Sequence, residues 1–337
     1  MPPKKAQEDP SLCFGSLTLP IYQLMPTAPI IQVTFSQAAA IGVPSAVVIY
    51  YHREMPSQLP PIQTVQPRLS FKDRWWHRYL GRPYKLHVND HGGQGPVIIL
   101  LHGLASSSAN WVELIPLLKD SHRCVSIDLL GFGDSPKPQW SAYAMDDHLR
   151  AIQAAIKRLR LRQPFTLVGH SLGSLLATRY AREHASHVER LVLLSPPVYA
   201  PLHTIASRAA RQRTSLYLRA YSFLRTHKRF TPENIQRLSR IIPQVRFILV
   251  SRVTWKPFIR SLEQCIEHQT LIADIGKVHS TIDIFYGIFD ELIVPYNIKQ
   301  LAKVRDVQLY PLRVSHVVGK RYSLAVAKVL ASQTPAP

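Results

Sequence analysis

The sequence predicts an α/β protein with a mainly parallel sheet and helices on both of its faces. Two observations predict it. Short apolar runs rich in β-branched residues alternate with longer amphipathic runs from residue 84 to 195, and the same alternation resumes at residue 280 after a long interruption.

In order, "YKLHV" (84–88) and "VIILL" (97–101) read as strands, the second buried on both faces because it is an unbroken apolar run. "ANWVELIPLLKD" (109–120) has helical spacing, and "RCVSIDLL" (123–130) follows as a strand. "MDDHLRAIQAAIKRLRL" is a longer helix that ends before Pro164, and "FTLVG" is the next buried strand. "SLLATRYAREH" reads as helix and "VERLVLLS" as strand. Residues 196–277 break the pattern with arginine-crowded helical sequence, "ASRAARQRTSLYLRAYSFLRTHKRF" and beyond. That stretch is too long for an ordinary connection and predicts a helical cap or lid. "STIDIFYG", "DVQLYPL" and the helix "RYSLAVAKVLAS" complete the chain. The expected organisation is an extension over 1–70, core over 71–195, cap over 196–277 and core again over 278–337.

Of the 337 residues, 46% are hydrophobic and 18% charged, which excludes a disordered chain. The 41 Lys and Arg against 21 Asp and Glu give a formal charge of +20, which predicts either attraction to an anionic surface or a merely solubilising exterior. Cys13, Cys124 and Cys265 are odd in number and far apart, which suits a reducing compartment or indifference to redox. No His or Cys cluster has metal-ligand spacing, so neither a metal nor a cofactor is expected. The expected location is cytoplasmic, with membrane association through the N-terminal region.

From Pro10 to Tyr51 there is no Asp, Glu, Lys or Arg, and "PIIQVTFSQAAAIGVPSAVVIYY" approaches the roughly 20 apolar residues a bilayer span needs. Gln32, Gln37 and Pro44 interrupt it, and basic residues flank both ends. A membrane anchor, a disordered extension and a start at Met55 all fit. "FKDRWWHRYLGRPYKL" (71–86) then interleaves aromatic with basic residues, as a membrane interface or a nucleic-acid surface would. The expectation set ahead of both is a lead-in helix whose Trp75, Trp76 and Tyr79 pack on the domain.

Gly169-His170-Ser171-Leu172-Gly173 forms G-x-S-x-G between a predicted buried strand and a predicted helix. In that setting a serine is held on a sharp, strained turn, and the glycines let strand and helix approach closely. A serine hydroxyl is a weak nucleophile, so a base must lie within hydrogen-bond reach and a third group must orient that base. Asp290 follows the strand "STIDIFYG" and His316 follows "DVQLYPL", so both sit at carboxyl ends of strands, where such sheets gather their ligands. Glu291 is the competing acid.

"LLHGLASSSANW", "DLLGFGDS", "VGHSLG", "YGIFDELIVP" and "SHVV" occur in the order and rough spacing of the α/β-hydrolase superfamily, and the chain resembles its cap-bearing group of esterases, lipases and carbon-carbon bond hydrolases over residues 84–330. The resemblance implies the order serine, acid, histidine, hence a triad of Ser171, Asp290 and His316. It implies an oxyanion hole from the backbone N–H groups of Leu104 and Leu172, with His102, Gly103, Gly169 and Gly173 supporting the motifs. His170 is expected to pack or hydrogen-bond beside the nucleophile, and Asp128 and Asp134 to orient backbone. Ser315 stands where many relatives carry glycine. Relatives that open carbon-halogen bonds or epoxides use an aspartate nucleophile, and prolyl aminopeptidases carry tryptophan after the serine, so Ser171 and Leu172 argue against those activities.

The expected function is a serine hydrolase that cleaves a carboxylic ester, acylglycerol-like, through an acyl-enzyme, with Trp255, Phe258 and Leu262 of the cap offering apolar surface to an acyl chain. The expected partners are a small ester or lipid and an anionic membrane surface, with nucleic acid disfavoured. A carbon-carbon hydrolase using the same triad is the alternative, and a non-catalytic membrane or nucleic-acid binding protein is a more distant one. Acyl length, natural alcohol and oligomeric state are not written in the sequence.

Overall fold

The computed structural model describes residues 70–226 and 253–331. The proposed anchor, Met55 and Cys13 lie outside the described residues, as does the middle of the predicted cap.

Seven strands form one sheet in the order β1-β3-β2-β4-β5-β6-β7. They are β1 (Val88–Asp90), β2 (Val97–Leu101), β3 (Arg123–Ile127), β4 (Phe165–His170), β5 (Val188–Leu194), β6 (Thr281–Gly287) and β7 (Gln308–Leu312). β1 pairs antiparallel to β3, and every other pairing is parallel. Parallel neighbours need crossovers that bury both faces of the sheet, which is why the strands read as continuous apolar runs. Side chains still alternate. Ile99, Leu101, Leu167, Leu191, Leu193 and Ile284 join one core cluster, while Ile98, Leu100, Val168, Val192, Leu194 and Phe285 join the other.

The described helices are α1 (Phe71–Tyr79), α2 (Ile115–Leu118), α3 (Met145–Arg158), α4 (Leu172–Glu183), α5 (Arg208–Thr226), α6 (Trp255–Ser261), α7 (Leu271–Ile275), α8 (Pro295–Leu301) and α9 (Lys320–Ala331). α3 begins with Asp146 and Asp147 and ends with Lys157 and Arg158, charges that complement its dipole, and buries Leu149, Ile152 and Ile156 against the sheet. On the opposite face, Trp111, Leu114 and Leu118 meet Tyr322, Val326 and Leu330 of α9. α5, α6 and α7 lie in the interval between β5 and β6 where the sequence places its helical insertion.

Three local expectations change. The helix expected over 109–120 is a 3-10 turn at Ser108–Trp111 followed by α2, because Pro116 lacks the N–H a continuous helix would need there and starts a new helix instead. The first strand sits at Val88–Asp90 rather than 84–88; Tyr84 and Leu86 are buried, but only the later residues pair with β3. Trp75, Trp76 and Tyr79 do not pack into the domain: they are 46%, 41% and 66% exposed, because α1 turns its His77 side inward, stacking that ring 3.9 Å from Tyr84. Cys124 and Cys265 are buried free thiols. No described helix is long and apolar enough to cross a membrane.

Candidate active site

β4 runs into Ser171, and α4 begins at the next residue. Ser171 has φ 51° and ψ −115°, a conformation disfavoured for any residue with a Cβ. Its surroundings hold it there. The Ser171 N–H donates to the Leu194 carbonyl at the end of β5 at 2.9 Å, and its carbonyl accepts from the Ser174 N–H at 2.9 Å and the Ser174 hydroxyl at 2.5 Å. A Cβ on Gly169 would collide with the Gly173 carbonyl, and one on Gly173 with the carbonyls of Leu101 and His102, so these two glycines are demanded by close approach of strand, helix and the β2 loop. Gly103 lies against the serine: a Cβ there would stand 3.2 Å from that of Ser171.

Asp290 follows β6 and is completely buried. Its Oδ2 accepts from His316 Nδ1 at 2.8 Å, and its Oδ1 accepts from the Leu292 N–H at 2.9 Å. Burial alone would raise its pKa, but the charge and hydrogen bond of His316, with hydrogen bonds from Ser195 and the Leu292 amide, bring it below the ordinary carboxylate value. With this carboxylate ionised, the His316 Nδ1 carries hydrogen and Nε2 is the ring's basic nitrogen. It is Asp290, not Glu291, that reaches the histidine. The hydrogen bonds of the structure do not include one from Ser171 Oγ to His316, a contact that often closes only around substrate.

His170 links the two halves of the site. Its Nε2 donates to the His316 carbonyl at 2.9 Å, and the two rings lie 4.8 Å apart. Burial, helped by the neighbouring His316, pushes its pKa down to about 3, so it is a neutral strut. His102 is buried and neutral as well, its pKa lowered by desolvation. Its Nδ1 donates to the Gly103 carbonyl at 2.7 Å and its Nε2 accepts from the Leu129 N–H at 2.9 Å.

Leu172 is the first residue of α4, and Leu104 lies in the turn after β2. Neither amide donates a hydrogen bond to another described residue. Asp128 accepts from the Ser108 N–H and hydroxyl, both at 2.6 Å, and from the Asp134 N–H at 2.7 Å, which folds the loops after β2 and β3 together. His87, Asp128 and Asp134 bring one potential ligand atom each to within 4.8 Å of one another, a juxtaposition the spacing did not suggest. The Asp128 carboxylate is already engaged by those backbone and hydroxyl donors.

Several residues around the site carry no sequence signal. Ser195, at φ 46° and fully buried, stands 3.2 Å from the Tyr322 hydroxyl, which in turn donates to the Phe285 carbonyl at 2.9 Å. Arg213 of α5 donates to the Asp290 carbonyl at 2.7 Å and to the Tyr217 hydroxyl at 2.9 Å. Tyr199 donates to the Leu292 carbonyl at 3.0 Å. The loop that carries Asp290 is therefore tied to α5 and to Tyr199 in the segment after β5.

A seven-stranded, mostly parallel sheet with a strained serine after β4, a buried acid after β6 and a histidine after β7 is an α/β-hydrolase architecture. Residues 96–241 match the family model described as alpha/beta hydrolase fold, and the fold is that of the α/β-hydrolases. Among curated relatives it is 37% identical over 121 residues to "Probable lysophospholipase BODYGUARD 4" of Arabidopsis thaliana, covering 34% of this chain and 29% of the relative. It is 34% identical over 163 residues to "Haloalkane dehalogenase 2" of Mycobacterium tuberculosis, covering 48% of this chain and 55% of the relative. The matches thus span about a third and about half of those relatives' lengths. Among solved structures, the enol-lactonase from Burkholderia xenovorans superposes with a TM-score of 0.54 at 20% identity over 73% of this chain and 95% of its own. That likeness is one of fold.

Proposed function

We propose that the protein is a serine hydrolase of carboxylic esters, with an acylglycerol- or lysolipid-like substrate and Ser171, His316 and Asp290 as its triad. The observation that carries the reading is Ser171 on a strained strand-to-helix turn, at the same rim of the sheet as a histidine whose Nδ1 is fixed on a buried carboxylate. In this reading Ser171 Oγ attacks the ester carbonyl carbon while His316 Nε2 takes the hydroxyl proton. The N–H groups of Leu104 and Leu172 receive the developing oxyanion, and each such donor is worth about 3 to 4 kcal/mol in the transition state. His316 then gives the proton to the leaving alkoxide, which departs as the alcohol. Water, deprotonated by the same nitrogen, attacks the acyl-enzyme, releases the carboxylic acid and restores Ser171. Asp290 stays ionised throughout and holds the imidazole in the required tautomer.

The name of the plant relative agrees with an ester-cleaving, lipid-directed chemistry. A displacement at carbon of the kind the mycobacterial relative is named for uses a carboxylate nucleophile, and this chain has Ser171 there. α5 to α7 supply the acyl-facing cap in this reading, with Trp255, Phe258 and Leu262 contributing apolar surface. The basic chain works at or near an anionic lipid surface. Turnover of p-nitrophenyl esters of increasing acyl length, of a lysophospholipid and of a ring-cleavage diketone, measured side by side, tests it. Ester or lysolipid hydrolysis lost in Ser171→Ala is expected; diketone cleavage with inert esters would replace the reading with carbon-carbon hydrolysis.

A further inference from the structure

α1 is amphipathic the wrong way round for a helix that merely packs on a domain. Asp73 and His77, one turn apart, form its inner side, where His77 stacks on Tyr84. Phe71, Trp75 and Tyr79 repeat every fourth residue on the far side and are 81%, 46% and 66% exposed, with Trp76 and Leu80 exposed beside them. A contiguous strip of large apolar side chains facing out marks an interaction surface. Most of the exposed charges on the helix and just after it are basic. Lys72, Arg74, Arg82 and Lys85 are exposed, and none forms an ion pair with a described residue. Arg82 lies over the Trp76 ring at 5.4 Å and Arg74 over Trp140 at 5.7 Å. The nearby carboxylate, Asp73, is spent on the helix cap, accepting from the Ser70 N–H and hydroxyl at 2.8 Å each.

The helix also sits in a meaningful place. Trp140, under Arg74, belongs to the loop that leaves the carboxyl end of β3, the same rim of the sheet that carries Ser171, Asp290 and His316. The neighbouring Gln139 carbonyl accepts from Lys256 of α6, and a Cβ on Gly131 in that loop would stand 2.5 Å from Pro257 of the same helix. One loop therefore separates α1 from the insertion.

We infer that α1 is a membrane-docking helix that lays Phe71, Trp75, Trp76 and Tyr79 into the interface of a bilayer rich in anionic phospholipid, with Lys72, Arg74, Arg82 and Lys85 on its headgroups. Aromatic rings with polar tips settle at the headgroup level, while basic side chains extend to phosphate and carboxylate groups. Nucleic acid fits less well, because the exposed apolar side chains of Phe71 and Leu80 have no use against a sugar-phosphate backbone. The inference rests on the lipid-ester reading for its purpose, but its geometry does not.

The test is co-sedimentation of the full chain with vesicles of phosphatidylcholine alone and of phosphatidylcholine with phosphatidylserine, with fluorophosphonate labelling of the same samples. Wild type is expected to bind the anionic vesicles selectively. Trp75→Ala/Trp76→Ala should weaken partitioning at least about 10-fold, and Lys72→Gln/Arg74→Gln about 5-fold for each basic residue removed. All variants should label normally. Should the double tryptophan variant misfold, Phe71→Ser alters only an exposed ring and should still weaken binding. No wild-type binding, equal binding to neutral vesicles, undiminished binding of the variants, or displacement by duplex DNA at equal charge would each overturn the assignment. Loss of labelling with vesicle binding intact would sink the hydrolase reading and leave the docking helix standing.

Discussion

Among the described residues, His102 and His316 each lie beside a buried aspartate, and they use their ring nitrogens differently. His102 stands 3.9 Å from Asp128 and spends both ring nitrogens on backbone, one on the Gly103 carbonyl and one on the Leu129 amide. His316 bonds Asp290 at 2.8 Å through Nδ1 and shows no such backbone bond from Nε2. The first pair fastens loops; the second leaves one ring nitrogen without a backbone partner, as the proposed proton transfer requires. A histidine next to a carboxylate is thus no sign of catalysis until the second nitrogen has been accounted for.

The comparison breaks most visibly at His316. His316→Ala should lower kcat by at least about 10⁴-fold per folded molecule if His316 is the base, and it should also cost stability because the buried Asp290 carboxylate loses its partner. Asp290→Asn should cost about 10⁴-fold in kcat while leaving the fold intact, because the amide donates to Nδ1 and forces the wrong tautomer. A result within 10-fold of wild type for either, in steady-state kinetics, would make the second pair structural like the first.

His102→Ala should show the converse pattern. It leaves the Leu129 amide and the Gly103 carbonyl unpaired in a buried site, so a loss of roughly 2 to 4 kcal/mol in urea unfolding is expected. Activity per folded molecule should fall far less than in His316→Ala. Arg213→Ala sharpens the account on the acid side. It deletes the bond to the Asp290 carbonyl, and a fall of about 10-fold in kcat with KM little changed is expected if α5 positions that loop.

A further effect is on the pH dependence of stability. His170 has a folded pKa of about 3 against 6.5 for an ordinary histidine, so between those values the unfolded chain binds the extra proton. Its contribution is complete above about pH 6.5 and is lost as the pH falls toward 3, with a slope of at most about 1.4 kcal/mol per pH unit. His170→Asn should flatten urea midpoints across that window. Asp290, with its pKa below the ordinary value, adds stability that is present above the unfolded carboxylate pKa and is lost at still lower pH.

The parts of this arrangement that read directly from sequence are local. Gly169 and Gly173 announce the turn because backbone crowding leaves no room for a Cβ at either, and the strands ahead of Asp290 and His316 put both at the carboxyl edge of the sheet. Ser195, Tyr322, Arg213 and Tyr199 were silent, since each acts through a partner that only the folded chain brings near. His102 looks like part of a motif, but its two backbone bonds, not its spelling, define its role. The same limit explains α1: periodicity marks Trp75 and Tyr79 as one face, yet which face turns inward depends on His77 meeting Tyr84.

The most direct test of the central claim is intact-mass analysis after fluorophosphonate treatment of wild type, Ser171→Ala and His102→Ala, with the labelled peptide sequenced. A single adduct on Ser171, retained by folded His102→Ala and lost in Ser171→Ala, is the result predicted. An unlabelled but folded wild type, or an adduct that survives Ser171→Ala, would contradict the assignment of Ser171 as an activated nucleophile.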